Sequence, residues 1–385
     1  MNKLVKISIK NFRSISSASL DFSQDSPVTV LTGLNGSGKS TILYMIDFVS
    51  SVFRGDVDVF LDKHGWTSTD IINKNNNPKK FIIEISVRGK IDDKLFIWSA
   101  SYNTTSNYNR CTFEKISYNG IDDYFKNENK RISFFNIPEE NVINFKYTGS
   151  VLSQLNLESF SEDILEIHKL ISSIHSYDLL CPSVIKLKRA RIAQNIGARG
   201  EMLAGYLAGM NQEEQMLLIS NIKIFYPYIE NYVIKHLRAG WKEFSITEKF
   251  DDSSPYQERA SKDVNDGTIR LLAIVSSVLF ANGMSIFDEI ENGFNPYVIE
   301  NLIKLLFKSK NQILLTTHSP EILQYIPDDI AIENIRFVFK KKNGDTGIAN
   351  LFDYPEAKNK LQVLSPGETY LDLSLEEVTK YFEKQ

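Results

Sequence analysis

Residues Gly33-Leu34-Asn35-Gly36-Ser37-Gly38-Lys39-Ser40 match the pattern G-x-x-x-x-G-K-[ST] in full. The neighbours suit the motif. Val28-Thr29-Val30-Leu31 before it is an apolar, β-branched run that predicts a buried strand, and Thr41-Ile42-Leu43-Tyr44-Met45-Ile46 after it can continue as a helix. In that setting glycines let backbone N–H groups turn inward around phosphate oxygens, and the helix N-terminus adds its partial positive charge. Lys39 is expected to reach the β- and γ-phosphates, and the Ser40 hydroxyl to ligate Mg²⁺. The alternative, a glycine-rich turn that fits by chance, has a probability on the order of one per cent for a chain of this length. The sequence therefore predicts a nucleotide-binding protein.

With 385 residues the chain can hold two or three domain-sized units, or one core with a large insertion. A net charge of −4 gives no global nucleic-acid signal, so any such contact must be a local patch. Cys111 and Cys181 are too few for a disulfide framework and suggest no metal site, which fits a reducing cytosol. No stretch approaches the ~20 apolar residues that cross a bilayer, and the N-terminus reads as a strand rather than a signal peptide. A soluble cytoplasmic protein without a membrane partner is expected.

Strands are expected at 4–9 and 18–22, joined through Asn11-Phe12-Arg13-Ser14, and a meander at 81–87, 94–102, 110–118 and 141–147. Residues 73–78 read as a loop. Residues 160–240 read as helical, with i, i+3, i+4 spacing in 164–174 and 203–219, and hold a basic cluster of Lys186, Lys188, Arg189, Arg191 and Arg199. A solvated helix face accounts for that cluster as readily as a contact surface does. The last third alternates again, with helices at 268–279, 297–307 and 320–325 and strands at 284–287, 313–316, 335–339 and 347–351. Two α/β halves around an insertion imply one parallel-sheet core assembled from both ends of the chain.

The second half supplies further chemistry. Met284-Ser285-Ile286-Phe287-Asp288-Glu289 is an apolar strand ending in two carboxylates. A strand-end Asp can hold the Mg²⁺ shell and the following Glu can polarise an attacking water. Adjacent acids opening a solvated loop are common, so the pair alone leaves both readings open. Thr316-Thr317-His318-Ser319-Pro320 puts an imidazole at a strand's carboxyl end, where ligands bind. Asn265-Asp266-Gly267-Thr268 opens a helix whose free N–H groups suit an anion.

Together these elements resemble the ATP-binding-cassette (ABC) class of ATPases, in the branch containing RecF, SMC proteins and the overcoming-lysogenization-defect (OLD) family. The resemblance covers residues 1–54 and 260–340. Asn11-Phe12-Arg13-Ser14 resembles that branch's opening element, which makes Arg13 a candidate nucleotide contact. Gly33–Ser40 matches Walker A, with Gly33, Asn35, Gly36, Ser37, Gly38, Lys39, Ser40 and Thr41 as nucleotide-binding positions. Ile286-Phe287-Asp288-Glu289 matches Walker B, with Asp288 and Ser40 on the metal and Glu289 catalytic. Val264-Asn265-Asp266-Gly267-Thr268 stands where the family has its Leu-Ser-x-Gly signature, with Asn265 in place of Ser, and His318 matches the switch histidine. Gln154 is the one candidate for the family's Q-loop glutamine.

The resemblance implies an α/β fold: an ABC-type P-loop ATPase head with an antiparallel β subdomain and a helical insertion or lid. The expected division is 1–150, 151–255 and 256–385. It further implies ATP and Mg²⁺ sandwiched between Gly33–Ser40 of one copy and the Gly267 helix terminus of another, giving a homodimer or higher homo-oligomer. The sequence shows no sustained heptads for long coiled arms and no transporter spans, and residues 326–385 show no acidic cluster of a Toprim nuclease. The reading is a standalone ATPase acting as sensor or scaffold for a separate effector, a nuclease or toxin, in prokaryotic anti-phage defence. The alternative is a RecF-like DNA-repair ATPase that clamps duplex DNA, with DNA as its partner.

Overall fold

The computed structural model describes residues 2–75, 81–105, 109–128, 130–135, 137–159, 161–178, 180–187 and 189–384. The end of the expected 73–78 loop and Lys188 of the basic cluster lie outside the described residues. The chain divides into two compact units, one of Met1–Ile174, Asp329–Val363 and Asp372–Gln385, the other of His175–Asp328 and Leu364–Leu371.

The first unit begins with β1 (Lys3–Phe12) and β2 (Ile15–Asp21), a tight hairpin in which Phe12 faces Ile15. β3 (Val28–Thr32) follows and is buried at every position, as its β-branched run predicts. It leads into α1 (Lys39–Arg54), and α2 (Val57–His64) comes next. β1 also starts an antiparallel sheet that continues through β4 (Ile82–Ile91), β5 (Lys94–Asn103), β6 (Arg110–Tyr118), β7 (Ile121–Glu128), β8 (Arg131–Phe134) and β9 (Ile137–Val142). Strict alternation buries Ile83, Ile85 and Val87 of β4 on one face. Aromatic edges close the core beside α1: Phe48 lies 5.3 Å from Phe12 and 5.1 Å from Tyr102, and Phe53 lies 4.4 Å from Trp98. A buried ring of this kind contributes about 2–3 kcal/mol by area alone. α3 (Glu162–Ser172), capped by Ser161, completes this stretch.

The sheet is longer than the sequence suggests. Residues 143–147 form no strand, whereas β7, β8 and most of β9 occupy a charged stretch for which no strand is expected. The missed signal is Asn119-Gly120, both at positive φ (47° and 82°), which turns β6 directly into β7.

Glu114 of β6 is completely buried. Its carboxylate accepts hydrogen bonds from the Ser150 hydroxyl, from Val151 N at 2.9 Å and from Asn127 Nδ2 at 3.1 Å, which ties the turn at 150–154 to the sheet. Burial outweighs these donors and pushes its carboxyl up to about 7 from an ordinary 4.5. Below 4.5 both folded and unfolded states hold this proton, so the contribution to stability is complete. It is lost as pH rises through 7, a change of about 3 kcal/mol. Denaturant unfolding across that window should therefore show wild type losing stability relative to Glu114→Gln. Parallel profiles for the two proteins would rule this out.

The second unit holds a parallel set of β10 (His175–Ser176), β14 (Ser285–Phe287) and β15 (Ile313–Thr316). Before β14 come α4 (Pro182–Leu187), α5 (Leu203–Ala208), α6 (Gln212–Phe225) and α7 (Asp266–Phe280). α8 (Pro296–Phe307) makes the crossover from β14 to β15, and α9 (Pro320–Gln324) follows. The expected 203–219 helix is broken after Ala208, and Asn211 starts α6 with a full capping box. The helical reading of 160–240 also fails at its end. β11 (Ile229–His236), β12 (Lys242–Glu248) and β13 (Gln257–Ala260) form a small antiparallel sheet instead. β11 carries Tyr232, Val233 and Ile234, side chains that favour a pleated surface.

The chain then returns to the first unit. β16 (Ile335–Lys340) pairs in parallel with β3, Arg336 opposite Leu31, and β17 (Thr346–Asn350) pairs antiparallel with β16. Both ends of the polypeptide thus build the strands around the glycine loop. Among the described residues no helix is longer than α1 at 16 residues, and none is long and apolar enough to cross a membrane.

Candidate nucleotide site

In the first unit β3 delivers the chain into the glycine loop. Gly33, Gly36 and Gly38 have φ of 147°, 76° and 110°, conformations that a side chain would strain. Space is equally restrictive at the two outer positions. A Cβ on Gly33 would stand 2.1 Å from the Val338 carbonyl oxygen of β16, and one on Gly38 would stand 2.2 Å from Thr346 Oγ1 of β17. The loop therefore rests on strands from the far end of the sequence, while Leu34, Asn35 and Gly36 are exposed. Ser37 N donates to Leu34 O at 3.1 Å and tightens the turn. Lys39 is 8% exposed, and its ammonium donates to Gly33 O at 2.9 Å and Leu34 O at 3.2 Å. Ser40 and Thr41 follow in the first turn of α1. Thr41 Oγ1 accepts from Ser14 Oγ at 3.4 Å, which joins the loop's helix to the β1–β2 hairpin.

The buried hydroxyl of Ser37 has no hydrogen-bond partner. An orphaned donor in a concave loop of positive-φ glycines beside a buried cation is a setting made for phosphate oxygens. The residues present fit a nucleoside triphosphate.

Arg13, at φ 46°, lies at the hairpin tip with its guanidinium 3.8 Å above the Trp66 ring. Its Nη1 donates to Asp70 O at 3.4 Å, and burial lowers its pKa against the pull of Tyr44 and Asp70. Tyr44 of α1 meets Trp66 edge-on at 5.1 Å, so Arg13 belongs to an aromatic platform beside that helix. Trp66 is a member of this platform that motif reading alone does not assign. Gln154 sits elsewhere. Its Nε2 donates to Ser153 Oγ at 3.1 Å beside Gly55, the residue that ends α1. At 1.5 Å per residue that is about 24 Å from Gly38, the residue that begins the helix. The Q-loop expectation for Gln154 is corrected by this placement.

In the second unit, Asp288 and Glu289 follow β14 immediately. Thr316 at the end of β15 holds both. Its hydroxyl donates to the Asp288 carboxylate and accepts from Glu289 N at 2.9 Å. Glu289 has φ 44°, a left-handed conformation that costs a non-glycine residue on the order of 1 kcal/mol. Arg270 of α7 donates to Glu289 O at 3.1 Å and helps hold that backbone. Burial lowers the Arg270 pKa, and Glu291, Glu289 and Asp288 oppose that effect.

The Glu289 carboxylate accepts from Asn292 Nδ2 at 2.7 Å and lies 3.6 Å from His318 Nδ1. His318 is also 3.9 Å from Glu291, whose side chain is only 9% exposed. Glu291 Oε1 accepts from Thr317 Oγ1 at 2.7 Å and from His318 N at 3.3 Å, while its Oε2 has no hydrogen-bond partner. The structure thus brings Asp288, Glu289 and His318 into one cluster and adds Thr316, Arg270 and Glu291. These three stand in the same sequence strings but carry no motif of their own.

Asn265 caps α7 through Oδ1, which accepts from Thr268 N at 2.7 Å. A Cβ on Gly267 would lie 3.2 Å from Gly293 O and 3.3 Å from Tyr226 Oη, so the glycine lets this helix terminus approach the turn after Glu289. Lys186 holds Asp266 at 2.5 Å.

A family model described as an AAA domain matches residues 6–225, more than half of the chain. The chain belongs to this AAA-domain family. A second model, described as "AAA domain, putative AbiEii toxin, Type IV TA system", matches residues 216–324. No curated protein matches the sequence. In structure the AAA-domain chain is similar to an SMC head bound to the C-terminal winged-helix domain of ScpA, with a TM-score of 0.57 and 14% identity over 90% of this chain and 96% of that one. It is also similar to an SMC head domain with an extended coiled coil bound to the C-terminal domain of ScpA, derived from Pyrococcus furiosus, with a TM-score of 0.52 and 12% identity over 94% and 100% of the two chains. The fold is therefore the α/β fold of an SMC head domain, with an antiparallel sheet, as the motifs imply.

Proposed function

We propose that this AAA-domain protein binds and hydrolyses ATP, closes as a nucleotide-sandwich dimer, and uses that cycle in the cytoplasm to control a separate nuclease or toxin in anti-phage defence. The observation that carries the nucleotide reading is the Lys39 ammonium, buried beside a loop whose outer glycines, Gly33 and Gly38, leave no room for a Cβ. Gly33, Asn35, Gly36 and Gly38 present amides to the triphosphate, Ser37 offers its unpartnered hydroxyl, and Lys39 balances charge on the β- and γ-phosphates. Ser40 and Asp288 are the residues that would hold Mg²⁺, which when bound would supply positive charge against the phosphate oxygens.

Glu289 orients the attacking water and takes its proton, a role for which Asn292 and the fixed backbone at φ 44° position the carboxylate. His318, poised between Glu289 and Glu291, donates to the γ-phosphate and reports its loss through the Thr317–Glu291 contact. Arg13 assists from the hairpin. The α7 terminus, Asn265 to Gly267, caps the triphosphate of a second copy. With Asn265 Oδ1 engaged on its own helix, the contribution across the dimer falls to the Asn265 amide nitrogen and the free N–H groups of that terminus.

One observation favours effector control: residues 216–324 match a model whose description names a toxin–antitoxin system. The test is phage challenge of cells carrying this gene with its genomic neighbours. Plating efficiency should fall by orders of magnitude, and protection should vanish with Lys39→Ala or with deletion of a neighbouring nuclease or toxin gene. Protection that needs neither would overturn effector control. Strong stimulation of ATPase activity by duplex DNA with neighbours dispensable would favour the repair clamp.

A further inference from the structure

The second unit carries an open trough of about 1040 Å³ between the tip of the β11–β12 hairpin and the segment after α4. Its lining includes the cations Lys186, Arg189, Lys235, Arg238 and Lys262 against a single carboxylate, Glu243. In a chain of net charge −4 this is a strong local reversal of sign. The cations are not equivalent. Arg189 is paired with Glu243, Lys235 with Glu258 at 2.7 Å, and Lys186 with Asp266 at 2.5 Å. Arg238 and Lys262 are exposed and make no ion pair among the described residues.

Trp241 shares this lining and is 41% exposed at the hairpin tip. Leu237 N donates to Trp241 O at 2.8 Å, and Ala239 and Gly240 close the tip at φ 57° and 79°. The backbone that carries Arg238 and Trp241 is therefore a closed, hydrogen-bonded turn. Arg191 lies 5.6 Å from the ring and raises the positive potential around it. Exposing an indole to water has a cost of roughly 2–3 kcal/mol in unburied area, which a solvated charged face does not require. Cations alone would suffice for an acidic peptide. An exposed indole on an ordered turn, sharing an open trough with cations that make no ion pair among the described residues, suits stacked bases on a phosphodiester backbone.

We propose that this trough binds single-stranded nucleic acid, with a base stacked on Trp241 and phosphates on Arg238 and Lys262. The binding does not depend on the ATPase reading. The test is fluorescence anisotropy of a labelled oligothymidylate of about twenty nucleotides titrated with the full chain at several salt concentrations. Saturable binding is expected, with log K falling against log salt at a slope of roughly −1.5 to −3.5, for two to five phosphates engaged. Trp241→Ala should weaken binding about tenfold or more while Trp241→Phe retains most of it, and Arg238→Ala should flatten the slope by about 0.7. The Phe and Arg238 variants decide the matter if the alanine protein fails to fold. Oligothymidylate binding insensitive to Trp241 and Arg238 would overturn the proposal. Equal affinity for a polyglutamate peptide, or a duplex bound as tightly and without regard to Trp241, would overturn it too.

Discussion

Lys39→Ala is expected to abolish measurable ATP binding, with titration calorimetry showing no heat at concentrations that saturate the wild type. The reason lies in where the ammonium stands. It is buried, its hydrogen bonds to Gly33 O and Leu34 O draw the loop around it, and it is the loop's own cation. Removing it takes a donor from Gly33 O, leaves Leu34 O with Ser37 N alone, and removes a positive charge from beneath a polyanion. Truncating one partner of such a desolvated charge contact costs 2–5 kcal/mol or more, a loss of roughly thirty- to several-thousandfold in affinity. The fold itself should survive, because the apolar faces of β3 and α1 do not involve this side chain. Near-normal affinity in a folded Lys39→Ala protein would contradict the assignment of the loop.

The candidate residues legible in the sequence were those where backbone and chemistry coincide. Gly33–Ser40 could be read because the loop's positive-φ turns favour glycine, and Asp288, Glu289 and His318 because each follows an apolar run. The supports were not legible. Thr316 is one of two adjacent threonines, Arg270 is an arginine inside an apolar helix, and their roles depend on which strand lies beside which. Gly38 illustrates the same limit, since its tight partner Thr346 is more than three hundred residues away. Gln154 misled because a glutamine at a strand-like end carries no information about which end of α1 it will meet. β7 and β8 were hidden because acidic and basic residues dominate their solvent face, although Asn119-Gly120 marks the turn between β6 and β7.

Glu289→Gln is the second large effect. Glutamine keeps an oxygen for the Asn292 amide at 2.7 Å and can occupy the same backbone conformation, so the cluster should remain assembled. It cannot accept a proton from water. Turnover should fall about 10²- to 10⁴-fold, the usual contribution of a positioned general base, while ATP still binds. If two triphosphates lie between two copies, blocking hydrolysis should hold the closed state. Sedimentation velocity of Glu289→Gln with ATP and Mg²⁺ tests that directly. The account predicts a dimer with ATP that returns to monomer with ADP or when Lys39→Ala is added. A Glu289→Gln protein that stays monomeric with ATP and hydrolyses it at the wild-type rate would contradict it.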